Sequence, residues 1–324
     1  MSPPHVVVLD EMSEGEDYPR SFPEFQARFS SESACVAYLE GLRWPNGFVC
    51  PSCHGKGGWK NSRGLWECRT CGHQTSVTSG TLLHRSRSPL TKWFLAMWNV
   101  TSQKYGANAL GLQRTLDLGS YQTAWEWLHR LRRAMVRPDR DRLSGIIEMD
   151  ETYVGGKRAG KRGRGAEGKV AVGVAVEDKG EDGIGRIRLG ILPDVTSGSL
   201  RAFILQSAAP GSTIRTDGLP PYDAIKKDGY THVRVGSKDL HLAHRVIALL
   251  KRWSLGTYQG AIRPGCLPFY LDEFTFRFNR RSSASRGKLF FRLVQQIVQI
   301  APESRKRLVG RCRGQAENEL DSDG

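Results

Sequence analysis

Residues 145–156 read Gly145-Ile146-Ile147-Glu148-Met149-Asp150-Glu151-Thr152-Tyr153-Val154-Gly155-Gly156, an apolar run with acids at its centre and glycines at both ends. The hydrophobic pattern switches here to period two, which marks a strand and sets Asp150 on a rigid backbone. The spacing predicts further strands at about 169–177 and 185–193, a helix from Ser197 to Ala208, a strand at 212–217, a short helix near 220–228 and a strand at 231–236. A second acid, Asp217, closes Ser212-Thr213-Ile214-Arg215-Thr216, with Gly218 behind it.

Three strands, a helix, a strand, a helix and a strand is the order of an RNase H-like core, an α/β fold built on a mixed sheet with flanking helices. In that fold the first and fourth strands lie side by side, so Asp150 and Asp217 are expected to meet. Two carboxylates on adjacent strands suit paired divalent ions, roughly 3.5–4 Å apart, that activate a nucleophile and stabilise a departing oxygen. Between the first two strands runs Gly155-Gly156-Lys157-Arg158-Ala159-Gly160-Lys161-Arg162-Gly163-Arg164-Gly165, a basic loop suited to gripping phosphates.

Charge points to the same substrate. The chain of 324 residues has a formal net charge of +15, although residues 1–40 hold two Lys/Arg against eight Asp/Glu and residues 314–324 hold four acids and no base. The basic excess is therefore concentrated between 41 and 313. Such an excess implies a polyanion, bound largely through release of condensed counterions. No run of 18 apolar residues exists, and Val6-Val7-Val8-Leu9 is too short for a signal peptide. The expectation is a cytoplasmic, nucleoid-associated protein with no membrane span.

Four of the seven cysteines fall as Cys50-Pro51-Ser52-Cys53 and Cys68-Arg69-Thr70-Cys71. Each Cys-x-x-Cys forms a knuckle whose thiolates face one metal, and two knuckles complete a closed site for structural Zn²⁺. With four protein ligands, no position is left open for catalysis. His54 and His73 beside the knuckles are read as polar ribbon residues. Cys35, Cys266 and Cys312 show no partner pattern and are read as packing or surface residues.

Phe22 to about Leu42 suggests two short amphipathic helices leading into the ribbon. After it, Ser88-Pro89 reads as the cap and first-turn proline of a helix carrying Trp93, Phe94, Met97, Trp98 and Val100. Gly106 to Arg114 reads as a short helix and Tyr121 to Met135 as another, an order like a helix-turn-helix. Arg130, Arg132 and Arg133 on the last are expected to meet DNA phosphates. Arg137 to Arg142 reads as a linker. The expected division is an acidic disordered arm (1–20), short helices plus ribbon (21–85), a helix-turn-helix-like DNA-binding region and linker (86–142), a catalytic domain (143–300) and a polar tail (301–324).

A helix over His241–Trp253 places Leu242, Val246, Leu249 and Trp253 on one face and His241, His244, Ala248 and Lys251 on another. His244 is then a third metal ligand or a proton carrier, with Mn²⁺ preferred over Mg²⁺ for an imidazole. Lys251, two turns on, would hold a phosphate. Glu273, in Tyr270-Leu271-Asp272-Glu273-Phe274, is the carboxylate alternative, and spacing leaves the choice open.

Taken together, the ribbon, Met149 to Lys157, Thr216-Asp217-Gly218, His244 to Trp253 and Tyr270 to Arg281 resemble bacterial zinc-ribbon insertion-sequence transposases of the group numbered fifteen ninety-five. The resemblance runs from about residue 20 to 295. It implies a DDE-type transposase domain that binds terminal inverted repeats and catalyses cleavage and strand transfer of double-stranded DNA with Mg²⁺ or Mn²⁺, as a homo-oligomer. It also implies a third catalytic position of Glu, Asn or His. The acids map to Asp150 and Asp217, the third position to His244 and the accompanying base to Lys251. The alternatives are a catalytically inactive DNA-binding regulator, which would not nick DNA with metal, and a nuclease, which would cleave but not join.

Overall fold

The computed structural model describes residues 17–137, 140–155, 169–259, 262–283 and 285–313. The acidic residues before 17, the basic loop from 156 to 168 and the tail from 314 onward lie outside the described residues. In chain order the elements are α1 (Phe22–Arg28), α2 (Glu32–Arg43), β1 (Gly58–Lys60), β2 (Trp66–Cys68), β3 (Gln74–Thr75), α3 (Leu90–Ser102), α4 (Ala109–Leu116) and α5 (Tyr121–Arg133). Then follow β4 (Ile146–Val154), β5 (Val170–Asp178), β6 (Ile184–Leu192), α6 (Ser197–Ser207), β7 (Thr213–Thr216), β8 (Thr231–Arg234), α7 (His241–Tyr258), α8 (Leu267–Phe278), α9 (Arg286–Ile297) and α10 (Arg305–Arg313).

Two compact units result: residues 1–104 with 283–299, and residues 105–282 with 300–324. This division falls elsewhere than the expected boundaries. Helix α3 belongs with the ribbon unit and α4 and α5 with the sheet unit, and α9 is part of the ribbon unit's core. The physical reason is aromatic: Phe25, Phe29, Phe94 and Trp98 of α1–α3 close around Phe290 of α9, with ring centroids 4.8–5.9 Å apart. In the same unit Ser88 does not cap α3. Glu32 of α2 accepts the N–H groups of Leu90 and Thr91 instead, at 2.8 and 3.2 Å.

The second unit is built on a five-stranded sheet in the order β6-β5-β4-β7-β8. Strands β4–β6 pair antiparallel, while β4–β7 and β7–β8 pair parallel, which is the mixed RNase H-like arrangement. Strand β5, Val-Ala-Val-Gly-Val-Ala-Val, is buried along almost its whole length because both sheet faces are covered. On one face, Val172, Val174, Val176, Ile187 and Leu189 meet α7 and α8. On the other, Ile147, Met149, Ala175 and Ile214 meet α6 and the 3₁₀ turn Pro220–Asp228. The cross-strand pair Gly173 and Gly190 leaves room for the Phe203 ring of α6; a Cβ at either would lie 2.8 or 3.0 Å from it. Alternation along β4 puts Glu148, Asp150 and Thr152 on the α7 face.

Two of the three arginines of α5, Arg130 and Arg132, depart from the expected DNA-facing role. Arg132 is 2% exposed and donates to Glu273 of α8 at 2.8 Å, while Arg130 pairs with Glu126 at 2.6 Å. Ala124, Trp127, Leu128, His129 and Leu131 are buried as well, so α5 is enclosed around most of its circumference. A guanidinium one turn from Leu128 can serve a core or a surface equally, and Glu273, 141 residues away, decides it.

Candidate active site and metal centres

In the ribbon, Val49–Cys50 and β1–β3 hold two knuckles against a minute core of Phe48, Cys50 and Cys68, with Trp44 and Trp66 packed on it. The ring of Trp66 stacks on Phe48 with centroids 5.0 Å apart. Backbone N–H groups of Ser52, Gly55 and Thr70 point at Cys50, Cys53 and Cys68 Sγ at 3.4 Å each, turning the sulfurs inward. Cys50 and Cys71 Sγ are 3.7 Å apart, and Cys53 and Cys68 Sγ 3.6 Å. A tetrahedral zinc centre with bonds of about 2.3 Å needs sulfurs about 3.8 Å apart, so the four thiolates fit the ion. His54 and His73 are not in this ligand group.

The strands that lead to the acids are neighbours. Ile146, Ile147 and Glu148 of β4 pair in register with Thr213, Ile214 and Arg215 of β7. Asp150 follows two residues on within β4, Asp217 comes directly after the end of β7, and the two carboxylates are near enough to influence one another electrostatically. Asp217 is exposed, and Gly218 turns the chain away behind it at φ +82°, a conformation that disfavours any side chain. The Asp217 carboxylate accepts the Leu219 N–H at 3.2 Å, which orients it.

Asp150 is largely buried. One oxygen accepts the Glu151 N–H at 2.8 Å and the other lies 3.3 Å from His244 Nε2. Burial raises its carboxyl above the usual range; the Glu151 N–H and His244 oppose this, and the carboxylates of Glu151 and Asp217 add to it. His244 stands on the exposed face of α7 with His241, Ala248 and Lys251, whereas Leu242, Val246 and Trp253 are buried beneath. Lys251 lies seven residues, about 10 Å of helix, beyond His244. The helix runs five residues past the expected end, to Tyr258.

Donor types fit a divalent ion: two carboxylates and one imidazole, a set that suits Mn²⁺ somewhat better than Mg²⁺. Asp150, Asp217 and His244 are not among the described groups whose ligand atoms all lie within 4.8 Å of one another.

Glu273 is placed differently from these residues. It is 1% exposed, with one oxygen accepting from Arg277 Nε at 3.0 Å and the other from Arg132 Nε at 2.8 Å and Tyr258 Oη at 3.0 Å. Those guanidinium groups hold its carboxyl below the usual range against the effect of burial.

One participant escaped the sequence reading. Glu148 is fully buried on the Asp150 face and accepts the Ala243 N–H at 2.8 Å. Helix α7 has no side-chain cap of its own. Glu148 thus caps it from β4, tying the helix start that carries His244 to the strand that carries Asp150. Period two gave the only sequence signal for this, since it sets Glu148 and Asp150 on one face. Tyr222 was likewise missed: buried below Asp217, its hydroxyl donates to Glu151 at 3.3 Å.

Two segments of the chain match known protein families. Residues 30–74 match the transposase zinc-ribbon domain family, and residues 142–279 match the ISXO2-like transposase domain family. A curated relative, described as an uncharacterized protein in transposable element ISH50 of Halobacterium salinarum, is 27% identical over 279 residues, 77% of this chain and 91% of that protein. Among solved structures, the Mos1 strand transfer complex aligns at 12% identity over 68% of this chain and 77% of that one, with a TM-score of 0.27. A pre-cleavage Mos1 transpososome aligns at 10% identity over 68% and 78%, with a TM-score of 0.25. The ribbon and the sheet domain are thus each similar to a transposase family, in the order in which the chain carries them.

Proposed function

We propose that the chain binds the terminal inverted repeats of an insertion sequence and catalyses divalent-metal-dependent cleavage and strand transfer of double-stranded DNA. The observation that carries this reading is the placing of Asp150 on β4 and of Asp217 just past the end of its parallel neighbour β7, close enough to interact electrostatically, with His244 Nε2 3.3 Å from Asp150. Asp150 and Asp217 would hold Mg²⁺ or Mn²⁺, which when bound activate the attacking oxygen and neutralise charge on the departing one. Water attacks an end phosphate, the P–O3′ bond breaks and a 3′-hydroxyl is freed. That hydroxyl attacks a target phosphate in line and expels the target's own 3′-oxygen, so no covalent enzyme intermediate forms.

The chain's own residues orient the reaction. Strands β4 and β7 hold the carboxylates with little freedom, which limits reorganisation during the step. His244 Nε2 is placed to join the ligand set or to carry a proton, and Lys251 offers a point charge to a phosphate on the same helix face. Glu273 has both oxygens engaged by Arg132, Arg277 and Tyr258, which favours His244 for the third role. Cys50, Cys53, Cys68 and Cys71 would hold structural Zn²⁺. Two element ends must be processed together, so the active species is a homo-oligomer on DNA, acting in the cytoplasm at the nucleoid.

The test is joining of labelled end DNA to a plasmid with Mg²⁺ or Mn²⁺. Asp150→Asn and Asp217→Asn should still shift end DNA in a gel and give no joined product; retained joining rejects the assignment. Loss in Glu273→Ala with full activity in His244→Ala, both folded, would move the third role to Glu273.

A further inference from the structure

Two of the three cysteines read as unpartnered in the sequence are joined. Cys266, in the 3₁₀ turn Pro264–Cys266, and Cys312, on α10, form a disulfide, with Cα atoms 4.4 Å apart. Their separation of 46 residues has no motif spacing, which is why the sequence concealed them. His129 of α5 completes the group: one of its ring nitrogens and both sulfurs all lie within 4.8 Å of one another, and all three residues are buried.

His129 is fully buried, yet neither ring nitrogen has a hydrogen-bond partner. Trp125, Phe269 and Tyr270 pack around the ring at 4.2, 5.0 and 5.6 Å, fixing it without satisfying it. Leaving such a group bare costs on the order of 1–3 kcal/mol. At the same point the backbones of the turn and of α10 touch, since a Cβ at Gly265 would lie 2.5 Å from the Arg311 carbonyl oxygen. A side chain at 265 would force the two cysteine-bearing segments apart.

We propose that Cys266, Cys312 and His129 form a second zinc site, filled when the disulfide is reduced. A dithiol reductant supplies two electrons and two protons, becoming a disulfide itself, and leaves two thiols. On binding Zn²⁺ the thiols release two protons to solvent, a His129 nitrogen gives its lone pair to the ion, and a water carried in with the ion keeps the fourth position. Two thiolates cancel the charge of the ion, so the complex is neutral, as a buried apolar setting requires. Sulfur and imidazole select a borderline-soft ion such as zinc over magnesium. Oxidised or reduced, the cluster fastens α10 to the 264–266 turn, by a covalent bond in one state and by metal in the other.

Zinc content of the full-length protein tests this, measured by mass spectrometry after equilibration with Zn²⁺ and desalting. Protein reduced under anaerobic conditions should hold one zinc per chain more than oxidised protein, whatever the ribbon and the acidic centre hold in both. The reduced Cys266→Ser/Cys312→Ser protein should match the oxidised wild type. Equal zinc in oxidised and reduced wild type, or the extra zinc retained in the serine protein, overturns the proposal. Because the first two arms use only the wild type, the outcome does not depend on folding of the variant.

Discussion

The ribbon and the acidic cluster proposed as the catalytic centre both gather side chains of metal-ligating type, but they are assembled in opposite ways. The ribbon takes four sulfurs from 22 consecutive positions, closes its coordination shell and has almost no apolar core beyond Phe48, Trp44 and Trp66. The acidic centre draws single side chains from β4, from the residue just past β7 and from α7, is exposed at Asp217 and His244, and rests on a large two-faced core. In the first the ligands support the fold, and in the second the fold supports the ligands. Removing a ligand should therefore have different consequences in the two regions.

The largest effect is expected from breaking the ribbon. Chelation of zinc, or Cys68→Ser, removes much of an apparent binding free energy of about 10–16 kcal/mol that has no hydrophobic substitute. Hydrogen exchange should show residues 46–76 unprotected, while the β4–β8 sheet keeps its protection. In the acidic centre the same kind of change should spare the fold. Asp150→Asn and Asp217→Asn are expected to lower strand transfer by about 10³-fold or more, equivalent to about 4 kcal/mol. Thermal denaturation should show Asp150→Asn unchanged or slightly stabilised, because a carboxyl disfavoured by burial is replaced with a neutral amide.

Glu273 sharpens the contrast, since it is an acid of the sheet unit with a structural placement. Glu273→Ala leaves Arg132 buried without its carboxylate and should cost about 3–5 kcal/mol, seen as a lowered urea midpoint. Asp272 next to it should show in pH dependence. Burial raises its carboxyl to about 7, against the partial opposition of Arg140 and Arg133. The folded chain then keeps this proton that the unfolded chain loses near pH 4. Its contribution is most favourable below about pH 4 and is lost as the pH rises to 7. Asp272→Asn should flatten stability across that window by at most about 4 kcal/mol, less to the extent that water reaches the group. The smallest effect is expected at Glu148. Glu148→Gln keeps an acceptor for the Ala243 N–H, whereas Glu148→Ala loses it and should cost about 1 kcal/mol, with faster amide exchange in the first turn of α7.

How much of this was legible follows from the same contrast. Cys-x-x-Cys spacing is local and encodes its own geometry, so four ligands were readable from one short segment. Strands β4 to β8 were readable because apolar alternation is local too, and their order made β4 and β7 neighbours. What escaped depends on partners far along the chain. Arg132 meets Glu273 across 141 residues, and Cys266 meets Cys312 across 46. Glu148 reaches Ala243 across 95, and α9 inserts Phe290 among aromatic rings of the first hundred residues. None of these pairings leaves a periodic trace. The exposed face of α7, by contrast, was given by its 3.6-residue pattern, with His244 and Lys251 both on it.

The central claim is that Asp150 and Asp217 jointly hold divalent metal, and Mn²⁺ binding followed by electron paramagnetic resonance on the zinc-loaded protein with end DNA tests it most directly. Wild type should remove Mn²⁺ from the free pool in a saturable way, and Asp150→Asn/Asp217→Asn should leave that signal at the level of DNA alone. Equal saturable binding by both proteins would contradict the account.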